Sequence, residues 1–183
     1  SLKIVCAWEL GQMANRTGDK QGGAGRGHEV PILTVGRFMR TPVISIEEHQ
    51  TVQAAVALMG AQRIRHLPVL KDGRLIGIIS SRDCQRLAAA QPQPGAKQER
   101  SLSPATTPVR DVMVSRVLTA TQDMRISEAA RLMSERKIGC LPVVIPVTME
   151  PVGIITETDM MRILARLLNQ QESQIVEKQN PAG

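Results

Sequence analysis

Seven residues, Gly77-Ile78-Ile79-Ser80-Ser81-Arg82-Asp83, return later in the chain as Gly153-Ile154-Ile155-Thr156-Glu157-Thr158-Asp159. In both copies an apolar, strand-like run ends in a hydroxyl residue. An aspartate follows three positions on, at an expected helix start. The surroundings repeat as well: Met39 and Met113, Val43 and Val117, Leu58 and Leu132, and Leu67-Pro68 and Leu141-Pro142 all lie 74 residues apart. The two glycines are 76 apart, so two residues enter between the Leu-Pro and Gly motifs of the second copy. A duplicated unit must fold twice into one supersecondary pattern, and each copy is expected to cover an apolar face of the other.

Repeats of about 50 residues are marginal alone, so both are expected to share one core. With one Trp, one Phe and no Tyr, aliphatic packing has to supply nearly all of it. The same scarcity argues against nucleic-acid binding by base stacking. Of the net charge of +6, most sits in the first repeat. Residues 37–86 carry eight Lys/Arg against four Asp/Glu, and residues 110–166 carry eight against seven. Interspersed cations suit a phosphate-bearing small ligand and equally an ordinary solvated surface. Cys6, Cys84 and Cys140 share no metal-like spacing with His28, His49 or His66, so neither a disulfide framework nor a metal site is expected, and a reducing cytoplasm is. No apolar run approaches the ~20 residues of a membrane span.

In order, residues 1–10 read as a short strand or helix that could dock on the module or on a neighbouring subunit, and Gly11–Glu29 as a flexible leader. Val35–Met39 reads as a helical turn and Val43–Ile46 as a strand. Val52, Ala55, Val56 and Met59 mark an amphipathic helix. Leu67–Leu70 and Leu75–Ile79 are strands joined at Asp72-Gly73, a hairpin signal. A helix follows from Asp83 to about Ala90. The second repeat replays this with strand Val117–Ala120, the helix stripe Ile126, Ala129, Ala130 and Met133, and strands Leu141–Ile145 and Val152–Ile155. A last helix carries an expected core stripe of Met160, Ile163, Leu164, Leu167 and Leu168, and fraying is expected beyond Asn169. The resulting division is leader 1–33, first repeat 34–90, linker 91–108, second repeat 109–168 and polar tail 169–183. The fold class is α/β (α+β), with two β-α-β-β-α units packed about a pseudo-two-fold axis.

A hydroxyl at a strand end that opens a helix is a natural phosphate position, because the first amides are unpaired and the helix dipole favours an anion. An aspartate one turn on can accept from two adjacent ribose hydroxyls. The same spacing is also a capping box, although that usually has Glu or Gln at its third place. Such a cap would stabilise each helix by about 1 kcal/mol without any ligand.

The duplicated order of Met, strand, amphipathic helix, Leu-Pro-Val and Gly-Ile-Ile-Ser/Thr-x-x-Asp resembles a tandem of cystathionine-β-synthase-type (CBS) domains, from about Thr34 to Leu168. The resemblance implies a disc-like module that often forms homodimers and binds adenosine-containing ligands (AMP, ADP, ATP or S-adenosylmethionine) in the clefts between repeats. Carried over to this chain, the preferred cleft has Thr156 at phosphate and Asp159 at ribose, closed by Ile44, Ile64, Arg65 and His66, with Arg82 reaching in. The second has Ser80 and Asp83 with Leu118, Ile138, Gly139, Cys140 and Thr158. No cofactor is required beyond such a regulatory ligand, and a regulated protein would be a separate chain. Without a nucleophile–base pair or a Gly-x-x-x-x-Gly-Lys loop, no catalysis is expected. The expected function is a cytoplasmic, non-catalytic nucleotide sensor. The alternative is a dimerisation module whose Ser/Thr-x-x-Asp motifs only cap helices.

Overall fold

The computed structural model describes residues 5–6, 33–89 and 103–179. The leader segment 11–29 and most of the 91–108 linker lie outside the described residues. A short strand β1 (Val5–Cys6) comes first. The first repeat then runs β2 (Ile46–Glu47), α1 (Val52–Gln62), β3 (His66–Lys71), β4 (Arg74–Ser80) and α2 (Ser81–Ala89). The second runs β5 (Leu118–Thr119), α3 (Ile126–Arg136), β6 (Cys140–Ile145), β7 (Glu150–Thr156) and α4 (Glu157–Gln179). Both therefore have the expected β-α-β-β-α order.

β2 lies parallel to β3, which pairs antiparallel with β4. In the second repeat β6 and β7 form the equivalent hairpin, and Ala120, just past β5, bridges Val143 in parallel. β1 adds a further parallel strand, with Val5 opposite Leu118 and Cys6 opposite Thr119. At the β3–β4 turn Asp72 and Gly73 both have positive φ, 50° and 75°, the backbone of a tight primed turn. Thr51 caps α1 by accepting from the Ala54 amide at 3.2 Å. α1 and α3 both stop at a cation in the left-handed conformation, Arg63 and Lys137, each at φ 53°.

The core is not shared in the manner the sequence suggests. Each repeat lends its leading segment to the other. Val35, with Leu33, Phe38 and Met39, packs among Ile126, Ala129, Met133, Leu141, Val143 and Ile155 of the second repeat. Val109, with Val112 and Met113, packs among Val52, Ala55, Met59, Leu67, Val69 and Ile79 of the first. Backbone bonds fix the exchange: Val35 N–H donates to Met124 O and Arg40 N–H to Ile154 O, both at 2.8 Å. Reciprocally, Val109 N–H donates to Gln50 O at 2.8 Å and Ile78 pairs with Val114 at 2.9 Å. A third cluster, Leu75, Val117 and Val144, joins the two hairpins. The repeated methionines meet the repeated glycines crosswise. A Cβ at Gly153 would come within 2.5 Å of Met39 Sδ, and one at Gly77 would overlap the Met113 sulfur.

Other expectations are corrected. The strand after Pro42 begins at Ile46, not Val43. Val56 is 49% exposed while Val52, Ala55 and Met59 are buried, because the face of α1 that meets the sheet is narrower than its apolar stripe. Of the expected apolar stripe in α4, Ile163 is buried and Met160 partly so, whereas Leu164, Leu167 and Leu168 are exposed. The helix runs on through Asn169 to Gln179, since no Gly or Pro interrupts it before Pro181.

Candidate functional site

Each Gly-Ile-Ile strand delivers its hydroxyl residue to the start of a helix. Ser80 donates its hydroxyl to Asp83 Oδ2 at 2.6 Å and its amide to the same oxygen at 2.9 Å. Thr156 does the same to Asp159 Oδ2 at 2.6 and 3.1 Å. The returning amide bonds, Asp83 to Ser80 Oγ and Asp159 to Thr156 Oγ, complete two capping boxes.

The two carboxylates differ in what else holds them. An ionised carboxylate offers about four lone-pair sites. Asp159 has all four engaged, because Arg40 and Arg162 donate to Oδ1 at 3.0 and 3.2 Å while Thr156 occupies Oδ2. Asp83 has three donors, with only Arg86 on Oδ1 at 3.0 Å. That Arg86 side chain is 79% exposed and is free to swing away. An acceptor is therefore open at Asp83 and closed at Asp159.

Two clefts lie between the repeats. The larger, about 470 Å³, contains Ser80, Ser81, Arg82 and Asp83 at the start of α2, with Leu118, Ile138, Gly139 and Cys140 facing them. Arg86, Arg116, Arg136 and Lys137 add further cations, and Glu157 is its second acid beside Asp83. The smaller, about 210 Å³, holds Thr156 and Thr158 with Ile44, Ile64, Pro42, Arg40, Gln62 and Arg63. Arg65, His66 and Gly139 line both. Ligand cavities usually span roughly 300–1,000 Å³, so size favours the larger one.

Most expected site residues fall where they were assigned, and three do not. Arg82 lines the larger cleft and Thr158 the smaller one, the reverse of their assignment. Each sits in the first turn of its own helix, which holds it beside its own hydroxyl residue. Asp159 lies behind the smaller cleft, 6% exposed, and is absent from its lining. Glu157 faces the larger cleft and so does not oppose an anion at Thr156.

The cations at the helix ends escape sequence reasoning, because charges there read as solvated. A signal was available in the 74-residue offset, which pairs Gln62-Arg63 with Arg136-Lys137 and Pro42 with Arg116. A non-glycine residue at positive φ stores strain of order 1–3 kcal/mol and is often kept where a side chain must be aimed. Here Arg63 lines the smaller cleft and Lys137 the larger.

Burial holds the His66 imidazole below its ordinary pKa, assisted by Arg65, against the opposing charges of Glu157 and Asp83. Near neutral pH it is an uncharged donor–acceptor. Burial, with Glu157 second, pushes the Cys140 thiol up to about 12, and burial also raises Cys84. Neither forms the thiolate a nucleophile needs. Among the described residues no group of three or more His, Cys, Asp or Glu could hold a metal ion, and no helix is long and apolar enough to cross a membrane.

The CBS-domain family profile matches residues 35–90 and 109–166. The chain belongs to the CBS-domain family. This CBS pair is 31% identical to the uncharacterized protein MJ1426 of Methanocaldococcus jannaschii, over 73% of this chain and 92% of that protein. It resembles the solved CBS domain pair of protein MJ0100 in complex with 5′-methylthioadenosine and S-adenosyl-L-methionine. The TM-score is 0.63 at 26% identity, covering 74% of this chain and 98% of that one. It also resembles CBSX2 in complex with AMP, with a TM-score of 0.61 at 27% identity, covering 74% and 98% of the two chains.

Proposed function

We propose that this CBS pair is a non-catalytic regulatory module that binds a phosphorylated adenosine ligand, AMP or a longer adenine nucleotide, in the larger cleft. The observation that carries this is the juxtaposition of an open carboxylate acceptor at Asp83 with Arg82, Arg116, Arg136 and Lys137 at the mouth of α2. Asp83 Oδ1 takes a ribose hydroxyl, and the second once Arg86 releases it. The cations and the α2 N-terminus hold the phosphates by charge-assisted bonds. Leu118, Ile138 and Cys140 provide an apolar wall for the base. The AMP complex of CBSX2 and the adenosyl ligands of MJ0100 support the ligand class. The cation excess favours a phosphate over the sulfonium of S-adenosylmethionine.

Occupancy then biases how two modules, or a module and a partner chain, associate, to the extent that the ligand prefers one arrangement. The surface for self-association is the apolar groove of about 370 Å³ between α1 and α2, lined by Val56, Met59, Gly60, Ile64, Cys84 and Ala88. The protonated thiols of Cys84 and Cys140 fit a reducing cytoplasm.

Isothermal calorimetry of the whole chain against AMP, ATP and S-adenosylmethionine tests the reading. AMP or ATP should bind, Asp83→Asn should abolish binding in the larger cleft, and Asp159→Asn should leave it while lowering thermal stability. A second reading, a structural dimerisation module, is favoured by the fact that both hydroxyl–aspartate pairs are satisfied without a ligand. Flat titrations from a folded dimer would establish it instead.

A further inference from the structure

The two clefts are divided by a thin seam. Arg65, His66 and Gly139 line both. Gly139 is held against the imidazole: a Cβ there would stand 3.2 Å from His66 Cε1 and Nε2 and 3.7 Å from Glu157 Oε2. Backbone bonds tie the seam to the helices that open the clefts. Ser81 N–H donates to Arg65 O and Glu157 N–H to Gly139 O, both at 3.0 Å. Near neutral pH His66 brings no charge, so Arg65 is the one cation presented to both sides among the described residues. No described carboxylate pairs with it.

Both clefts have a use for Arg65. In the smaller one Arg40 is engaged by Asp159 at 3.0 Å, which leaves Arg63 and Arg65 to meet an anion. In the larger one Arg65 joins Arg82, Arg116, Arg136 and Lys137. A guanidinium in a fork with one phosphate cannot make the same fork with another.

We propose that the two clefts are negatively coupled for phosphate-bearing ligands because they share Arg65. The first ligand fills the larger cleft and recruits Arg65, and the smaller cleft then binds with its cations halved. The mechanism rests on the adenine-nucleotide reading and adds to it an order of filling and a residue that enforces it. Coupling of this kind is typically 5–150-fold, and a single shared guanidinium places it at about tenfold.

The test is calorimetry with AMP on the whole chain and three variants. The wild type should show two steps, the second about tenfold weaker. Arg116→Glu/Arg136→Glu alters two exposed side chains and disables the larger cleft. It should leave one step, about tenfold tighter than the wild-type second step, because Arg65 is now free for the smaller cleft. Adding Arg65→Gln should weaken that step back to the wild-type second value. Arg65→Gln alone should weaken the first step about tenfold and leave the second unchanged, because coupling is reciprocal and the shared cation must be worth as much to the larger cleft as the penalty it imposes on the smaller. Two wild-type steps of equal affinity, or a smaller cleft whose affinity ignores the charge reversal or ignores Arg65, would overturn the coupling while leaving the nucleotide reading intact. A double-charge variant that binds no AMP would overturn it by removing the smaller cleft as a site. A flat wild-type trace would remove the nucleotide reading itself, and the coupling with it.

Discussion

Replacing Gly153 by alanine probes the closest approach between the two repeats. The added methyl would lie 2.5 Å from Met39 Sδ, and 3.0 Å from both Met39 Cγ and the Arg40 carbonyl oxygen. Ordinary contacts between such atoms lie near ~3.5–4 Å, so something must move by up to about 1 Å. The thioether can rotate. The Arg40 carbonyl is less free, because it accepts from Ile154 N–H at 3.2 Å while Arg40 N–H donates to Ile154 O at 2.8 Å. Overpacking of this kind costs about 1–3 kcal/mol, and the lower chain entropy of unfolded alanine returns about 0.4–1. The expected net loss is roughly 1–2 kcal/mol, or roughly 2–8 °C in Tm for a chain of this size. Urea unfolding followed by circular dichroism, with Met39→Ala and the double variant, completes a thermodynamic cycle. The methyl should settle into the space the truncated methionine leaves, so the double variant should be more stable than the summed single losses by at least about 0.5 kcal/mol. A neutral Gly153→Ala, or an additive cycle, would refute the crosswise packing of Met39 on the second repeat.

Three further outcomes follow from side chains already described. His66 is held below its usual 6.5 by burial, so on acidification the unfolded chain takes up its proton first. Stability should therefore fall as pH drops through about 6.5 toward the folded value, and His66→Gln should flatten the loss of Tm between pH 7.5 and 5.5; an unchanged slope would count against the burial of the imidazole. Val56→Glu places a charge in the exposed α1–α2 groove and should shift the sedimenting species from dimer to monomer with unchanged circular dichroism; a wild-type monomer, or a dimer indifferent to the change, would exclude that face. Thr51→Ala removes the α1 cap at the Ala54 amide and should cost about 1 kcal/mol in chemical unfolding.

The 74-residue offset made most of the secondary structure legible. It located the helix stripes, the paired Leu-Pro strands and both hydroxyl–aspartate turns, and Asp72-Gly73 marked the hairpin. Partnership between the copies stayed hidden. Met39 precedes Val43 in sequence, and nothing in an alignment of two repeats says that it packs on Gly153, more than a hundred residues away. The same blindness exchanged Arg82 with Thr158, because a repeat pattern shows what is equivalent and not what is adjacent. The clefts were under-read for a different reason. Arg116, Arg136 and Lys137 are exposed side chains that read as ordinary solvated surface, and only the folded arrangement shows that they rim the larger cleft. Leu164, Leu167 and Leu168 kept a helical period without a core to receive them, since period reports a face and cannot report whether anything covers it.

The reciprocal loan of residues 33–40 and 109–114 means that this chain contains no half that is complete. A fragment ending near residue 90 would carry its own strands and helices but lack Val109, Val112 and Met113, the plug for its interior. The complementary fragment would lack Val35, Phe38 and Met39. Neither should fold alone, yet the two mixed together should reassemble into the native body. A protease cutting between residues 91 and 102 would then sever the backbone without separating the halves. The duplication is in this sense irreversible: once each copy supplied the other's missing piece, neither could be lost on its own.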